Sequence, residues 1–218
     1  MELYKTQIGS HYYGINIDSS DFDTWIIDDS VSSFQSIMNG KDHTYRVMPG
    51  EAIAQFCGFI SIPQCLSALF PKNPIGDVGE FLNKNNEKII EANKAYLYNL
   101  VKNFSQTYPI KEPLNTYIIR RYPKKVAYRL MFLNIFINYT KTNNFSDSLA
   151  LSEEEKIFFK EIRLSKIDPK KILETNNYLY SELLSNKDFF DHEDINYLKE
   201  NVQLLEEMMK ISHTDFIQ

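Results

Sequence analysis

The sequence predicts an α+β protein, with a small sheet-bearing domain over residues 1–75 and an all-α helical domain over residues 76–218. Three observations predict this. Short β-prone runs are confined to the first fifty residues: Leu3–Ile8, Phe22–Ile27 and His43–Met48. From Glu80 onward apolar residues recur at helical spacing almost throughout. Between the two regimes, Lys72 to Gly79 carries Pro74 and Gly76, the punctuation of a loop and the best domain boundary.

The first run, Leu3-Tyr4-Lys5-Thr6-Gln7-Ile8, ends at the pair Gly9-Ser10, and His11 to Ile17 follows as a short helix or turn. In the second run the strand alternation puts Asp21, Asp23 and Trp25 on one face and Phe22, Thr24 and Ile26 on the other. Asp28-Asp29-Ser30 closes that strand, and both acids read as solvated turn residues. The third run stops at Pro49-Gly50, and Glu51–Ile60 reads as a helix. Ser61-Ile62-Pro63 interrupts it before Gln64–Phe70 resumes.

In the second half, Phe81–Phe104 is one amphipathic stretch, broken near Asn83–Asn86. A helix opens at Tyr122-Pro123 and runs to about Thr140. Ser152 is an N-cap with Glu155 in the capping-box position of a helix reaching Arg163. Asp168-Pro169 begins a helix that continues to about Leu184, and Asp191 or His192 caps the last one, which runs to Met209. The densest basic cluster is Arg120, Arg121 and Lys124 followed by Lys125 and Arg129, the last two sharing one helical face at i, i+4.

Composition bounds the partners. With 24 Lys+Arg against 29 Asp+Glu, the net charge of −5 gives no general attraction for nucleic acid, so any such site must be a local basic patch. No apolar run approaches the ~18 residues of a membrane span, and no signal-like segment opens the chain. A cytoplasmic protein with no membrane partner is expected. Cys57 and Cys65 lie in apolar sequence with no histidine nearby and read as core thiols of a reducing compartment. The four histidines show no ligand spacing, and all but His11 read as surface residues.

The chemistry concentrates at Gly9-Ser10 and at Asp21-Phe22-Asp23. A glycine lets the backbone turn tightly or approach a ligand closely, and a serine hydroxyl beside it suits a phosphate oxygen. Two carboxylates at i and i+2 of a strand can reach one divalent cation, and oxygen ligands completed by a phosphate are the usual shell of Mg²⁺.

This pattern resembles the nucleotidyltransferases of the DNA polymerase beta superfamily: an apolar residue, Gly-Ser, about a dozen residues, then Asp-x-Asp. The longer form Gly9-Ser10-x-x-Tyr13-Gly14 with Ser20-Asp21-x-Asp23 is similar to a branch of small, mostly uncharacterised nucleotidyltransferases of bacteria and phages. The resemblance implies a mixed sheet and transfer of a nucleotidyl group from an NTP such as ATP. It implies Mg²⁺ or Mn²⁺ on Asp21 and Asp23, and a nucleotide site formed by Gly9, Ser10 and Tyr13. Lys125 and Arg129, on a helical second half, would face that turn across a cleft and neutralise the triphosphate or an acceptor's backbone. The acceptor would be an RNA (a tRNA end is attractive), a protein hydroxyl or a small molecule. One departure stands out: residues 43–48 carry no acid where the family places its third carboxylate. Asp42 and Glu51 flank the strand as substitutes, with Asp42 the catalytic candidate. That departure keeps two rivals open: a nucleotide- or nucleic-acid-binding module, and a phage-type interaction protein retaining the fold.

Overall fold

The computed structural model describes residues 1–58, 62–72, 76–106 and 119–209, with side chains in all of these except 54–58, 62–65 and 104–106. The strands are β1 (Glu2–Ile8), β2 (Phe22–Asp28), β3 (Gln35–Asn39) and β4 (Asp42–Val47). Among the described residues they form one four-stranded sheet in the order β1-β2-β4-β3. β1 runs antiparallel to β2, β2 parallel to β4, and β3 antiparallel to β4, so the sheet is mixed, as expected.

In chain order the helices begin with α1 (Gly9–Tyr12), α2 (Pro49–Gly58), α3 (Ile62–Leu69) and α4 (Gly76–Ala92). Then come α5 (Lys94–Gln106), α6 (Pro123–Thr142), α7 (Phe145–Leu149), α8 (Glu153–Arg163) and α9 (Pro169–Ser185). A 3₁₀ turn over Lys187–Phe190 precedes α10 (Ile195–Met208).

The chain divides into two compact units, one made of Met1–Ala92 with the segment from Asp194 onward, the other of Asn93–Glu193. The division thus follows Ala92, whereas the sequence suggests one at residue 75, which lies outside the described residues. The reason lies in α4, whose buried Val78, Leu82, Ile89 and Ile90 belong to the packing on β1 and α10. Gly76 opens that helix inside the first unit.

In the first unit the alternation of the strands sorts the sheet into two faces. Ile8, Thr6 and Tyr4 of β1 lie opposite Asp23, Trp25 and Ile27 of β2, which pair in turn with His43, Tyr45 and Val47 of β4. On this face Tyr4, Ile8, Trp25, Ile27 and Val47 are buried, together with Leu66 and Leu69 of α3 and Ala52 and Ile53 of α2. Burial of this kind contributes about 1.5–3 kcal/mol per large apolar side chain, less the cost of ordering it. Tyrosine hydroxyls are satisfied at the seam: Tyr4 donates to Ala68 O at 2.7 Å and Tyr12 to Phe70 O at 2.5 Å. Burial pushes both hydroxyls well above the ordinary tyrosine value.

Asp28 departs from the solvated role expected of it. It is 2% exposed, accepts hydrogen bonds from Ser30 N at 3.0 Å and Ser30 Oγ at 2.6 Å, and pairs with Arg46 and the Met1 amino group. The Ser30 bonds first, then the cations, hold its carboxyl well below the usual carboxylate range. Asp29 remains exposed.

In the second unit α6 is the central helix. Residues 130–133 and 135–137 are buried on all sides, which is the pattern of a helix enclosed by others. It packs with α5, α7, α8 and α9. Phe136, Tyr139, Phe145 and Phe190 add edge-on and stacked ring contacts with centroids 5.1–6.3 Å apart. The capping box of α8 is present in full: Glu155 N donates to Ser152 Oγ at 3.2 Å and Ser152 N to Glu155 Oε2 at 2.7 Å.

Two helix boundaries differ from expectation. The long stretch breaks at Asn93 rather than near Asn83–Asn86, where the helix continues and the Asn85 side chain donates to Phe81 O at 2.8 Å. The last helix starts at Ile195 with Asp194 as its cap, accepting from Tyr197 N at 3.0 Å, since residues 187–190 are taken by the 3₁₀ turn.

Candidate active site

β1 delivers the chain to Gly9 directly beside β2, because its last residue, Ile8, pairs with Asp23. Gly9 then turns at φ +74°, a left-handed conformation that costs any other residue about 1–2 kcal/mol. There is a second constraint. A Cβ built on Gly9 overlaps Asp23 Oδ2 and comes within 3.2 Å of Asp23 Cβ and Cγ. The two parts of the motif, fourteen residues apart in sequence, therefore touch, and the glycine is the residue that permits it.

The connecting loop is tied at several points. Ser20 Oγ accepts from Ile17 N at 2.8 Å, Ser20 N donates to Ile17 O at 2.8 Å, and Lys41 Nζ donates to Asp18 O at 2.7 Å. Phe22 N donates to Lys41 O at 2.8 Å, where β2 and β4 begin side by side. These bonds fix the entry of Asp21 and Asp23 into the sheet.

On the same face, β4 presents His43 and Tyr45. His43 Nδ1 lies 3.9 Å from Asp23 Oδ1 and shares a hydrogen bond of 2.9 Å with the Tyr45 hydroxyl. On its other side His43 Nε2 shares a 2.6 Å hydrogen bond with Ser36 Oγ of β3. The Tyr45 hydroxyl titrates above its ordinary value, first because of burial, then because of the negative charges of Asp23 and Asp21 and a hydrogen bond with Asp23. Both carboxylates thus act on one point of the sheet.

The register also locates the two acids considered for the third carboxylate. Asp42 pairs with Phe22, so it belongs to the opposite face from Asp23 and is exposed. Glu51 lies in the first turn of α2, after Val47 at the far end of β4. Four residues of strand separate that end from His43, about 13 Å at the usual rise. Neither acid stands beside Asp23. His43, taken from the sequence as a surface residue, stands there instead and is half-buried. Parallel pairing of β2 with β4 is what reveals it, and no local spacing encodes that pairing.

The remaining candidates are distributed as follows. Ser10 is 2% exposed and Tyr13 is 4% exposed, so both side chains sit within the packed first unit, with Tyr13 edge-on to Tyr12 at 4.8 Å. His11 stacks on Phe22 at 3.8 Å, and its Nε2 has no hydrogen-bond partner among the described residues. Lys125 and Arg129 belong to the second unit. Lys125 is exposed, but Arg129 is 6% exposed, so the pair does not form one open cationic face. The side chains of Cys57 and Cys65 lie outside the described residues.

Among the described residues no group of three or more His, Cys, Asp and Glu is disposed to hold a metal ion. Two carboxylates, the number that Asp21 and Asp23 supply, are what Mg²⁺ commonly takes, its shell completed by substrate phosphates and water. The bare backbone at Gly9 is what lets the Asp23 carboxylate lie against the turn, since a Cβ there would occupy its place. Among the described residues no helix is long and apolar enough to cross a membrane. No protein-family model matches the chain, and no curated protein matches its sequence.

Proposed function

We propose that this chain is a metal-dependent nucleotidyltransferase with a polymerase-beta-like first unit, transferring a nucleotidyl group from an NTP to an RNA, protein or small-molecule hydroxyl. The observation that carries the proposal is the contact between Gly9 and Asp23, which joins the glycine turn to the Asp-x-Asp strand. In this reading Asp21 and Asp23 hold Mg²⁺ or Mn²⁺, and the backbone at Gly9 lies against the phosphates. A bound Mg²⁺ would polarise the phosphoryl oxygens and offset charge on the departing pyrophosphate. His43, held through Nδ1 by Tyr45, takes the proton of an acceptor hydroxyl that displaces the Ser36 hydroxyl from its Nε2.

A second reading is favoured by one observation: neither Asp42 nor Glu51 stands beside Asp23. The chain would then bind Mg²⁺·NTP without turnover. One experiment separates the two. The protein is incubated with each α-labelled NTP, Mg²⁺ or Mn²⁺, and total RNA or total protein, while NTP binding is measured by equilibrium dialysis. Label in an acceptor that vanishes in Asp23→Asn supports transfer. Binding that requires metal and Asp23 but labels nothing supports the second reading. No metal-dependent binding of any NTP would sink both.

A further inference from the structure

The second unit carries a charge arrangement that the transfer chemistry does not use. Between Glu112 and Asp147 the sequence has no acid and six cations, in a chain whose net charge is −5. Four of those six, Arg120, Arg121, Lys124 and Lys125, lie within six residues around Tyr122 at the start of α6, and all four are exposed. Tyr122 itself is 38% exposed. Its ring is flanked by two of the cations: Arg121 Cζ lies 5.7 Å and Lys125 Nζ 5.3 Å from the centroid, and Arg121 Nε donates to the Tyr122 hydroxyl at 3.2 Å.

The concentration of like charge works against the stability of this segment. Like charges so close repel one another, and the positive end of the α6 dipole, where Lys124 and Lys125 sit, disfavours cations further. Arg121 and Lys125 lie over the exposed ring, and when they turn to phosphates the ring is left to a base, the combination by which single strands are held without sequence preference. Arg120 also lines a pocket of about 360 Å³ in the same unit. Ile119, Ile162 and Ile172 supply apolar wall, and Lys166 adds a fifth exposed cation. Asp168 is the acid of the lining, and its carboxylate is engaged as the cap of α9, accepting from Lys170 N at 2.9 Å. A concavity of this size with apolar walls and cationic groups suits one unstacked nucleotide unit of a strand.

We infer that Arg120, Arg121, Tyr122, Lys124 and Lys125 form a docking surface for a single-stranded polynucleotide, with phosphates on the cations and a base against the Tyr122 ring. As the acceptor site of the transfer reaction it rests on the function proposed above; as a binding surface it stands without it. The test therefore omits NTP and includes EDTA, so that its failure and the failure of the transfer reading are separate results.

Fluorescence anisotropy of labelled 20-nucleotide single-stranded RNA is measured across a salt series, with single-stranded DNA, duplex RNA and inorganic polyphosphate as parallel ligands. The expected result is single-strand binding that weakens with salt and exceeds duplex binding. Changing Arg120, Arg121, Lys124 and Lys125 together to Gln flattens the salt slope by about 3 units, at ~0.7 per lost single-strand phosphate contact. Tyr122→Leu weakens single-strand binding roughly 5- to 150-fold, the range for one stacked base, and leaves the slope and polyphosphate binding unchanged, while Tyr122→Phe retains affinity. RNA binding above DNA would identify a 2′-hydroxyl contact in the same site. Three results overturn the inference: no single-strand binding in low salt, an unchanged slope in the four-Gln variant, or equal binding of RNA and polyphosphate that ignores Tyr122→Leu. The residues changed are exposed, and an unaltered far-UV spectrum confirms that each variant is folded.

Discussion

Gly9→Ala tests the geometry of the candidate site most directly. Two costs arise at this position. The left-handed φ of +74° costs an alanine about 1–2 kcal/mol. The new methyl also meets the Asp23 carboxylate, which must turn away from it at a further cost of about 1–3 kcal/mol for overpacking. Gly40 provides an internal control: its φ is +62°, and a Cβ there meets nothing within 4 Å. Gly40→Ala should therefore cost about 1–2 kcal/mol, and Gly9→Ala about 2–5 kcal/mol. Urea unfolding of both variants supplies the comparison. The decisive step is a double-mutant cycle with Asp23→Ala, which removes the Cγ and Oδ2 that the new methyl would strike. Coupling of about 0.5–3 kcal/mol is expected, as for residues in direct contact. Additivity within about 0.5 kcal/mol, or equal costs at Gly9 and Gly40, would refute the contact on which the site is built.

Two further outcomes concern stability and pH. Ser152→Ala should cost about 0.5–2 kcal/mol in urea unfolding, the value of a helix cap, since Ser152 holds both ends of the capping box. Burial pushes the Glu155 carboxyl up, but hydrogen bonds from Ser152 and Asn134 outweigh this and hold it below its ordinary value. The stability it contributes is therefore complete above the ordinary carboxylate pKa and disappears as pH falls through and below that range, so Glu155→Gln should flatten the acid limb of the stability curve. Asp28 has the same sign, its carboxyl being lowered by Ser30, the amino terminus and Arg46. Asp28→Asn should lower the thermal midpoint at neutral pH, and its difference from the wild type should shrink as the pH falls below 4. A difference that stays constant with pH would mean that the carboxylate charge plays no part.

What the sequence disclosed tracks how local each signal was. Ser152 with Glu155, Asp168 with Pro169, and Tyr122 with Pro123 mark helix starts through chemistry within four residues, and all three helices begin there. β1 was legible through burial at every second residue, and β2 through its run of aromatic and β-branched residues. β3 was not, since Gln35–Asn39 is an exposed edge strand with no buried face to impose a pattern. Asp28 looked like a turn residue because its partners, Arg46 and Met1, are distant in sequence. The proximity of Gly9 to Asp23 was suggested by the motif, whereas the substitution of His43 for a carboxylate neighbour depends on strand order and register. Lys125 and Arg129 share a helical face by spacing, yet the packing of α6 buries one and leaves the other in solvent.

The first unit is assembled from both ends of the described chain, with α10 packed on α2 and α4. Backbone hydrogen bonds gather the crossing point: Asp194 N donates to Ala92 O at 3.0 Å, and Ala95 N donates to His192 O at 3.0 Å. This predicts an order of events during synthesis. Residues 93–193 form one continuous stretch, while α10, which belongs to the first unit, is translated about a hundred residues after Ala92. Once the intervening unit has folded, its two ends are neighbours, and the loop that α10 must close shrinks from about 100 residues to a few. By the logarithmic cost of loop closure, that removes roughly 3 kcal/mol from the barrier to docking the last helix. The middle of the chain thus acts as a template for joining its ends, and slowing translation past residue 193 should favour correct assembly.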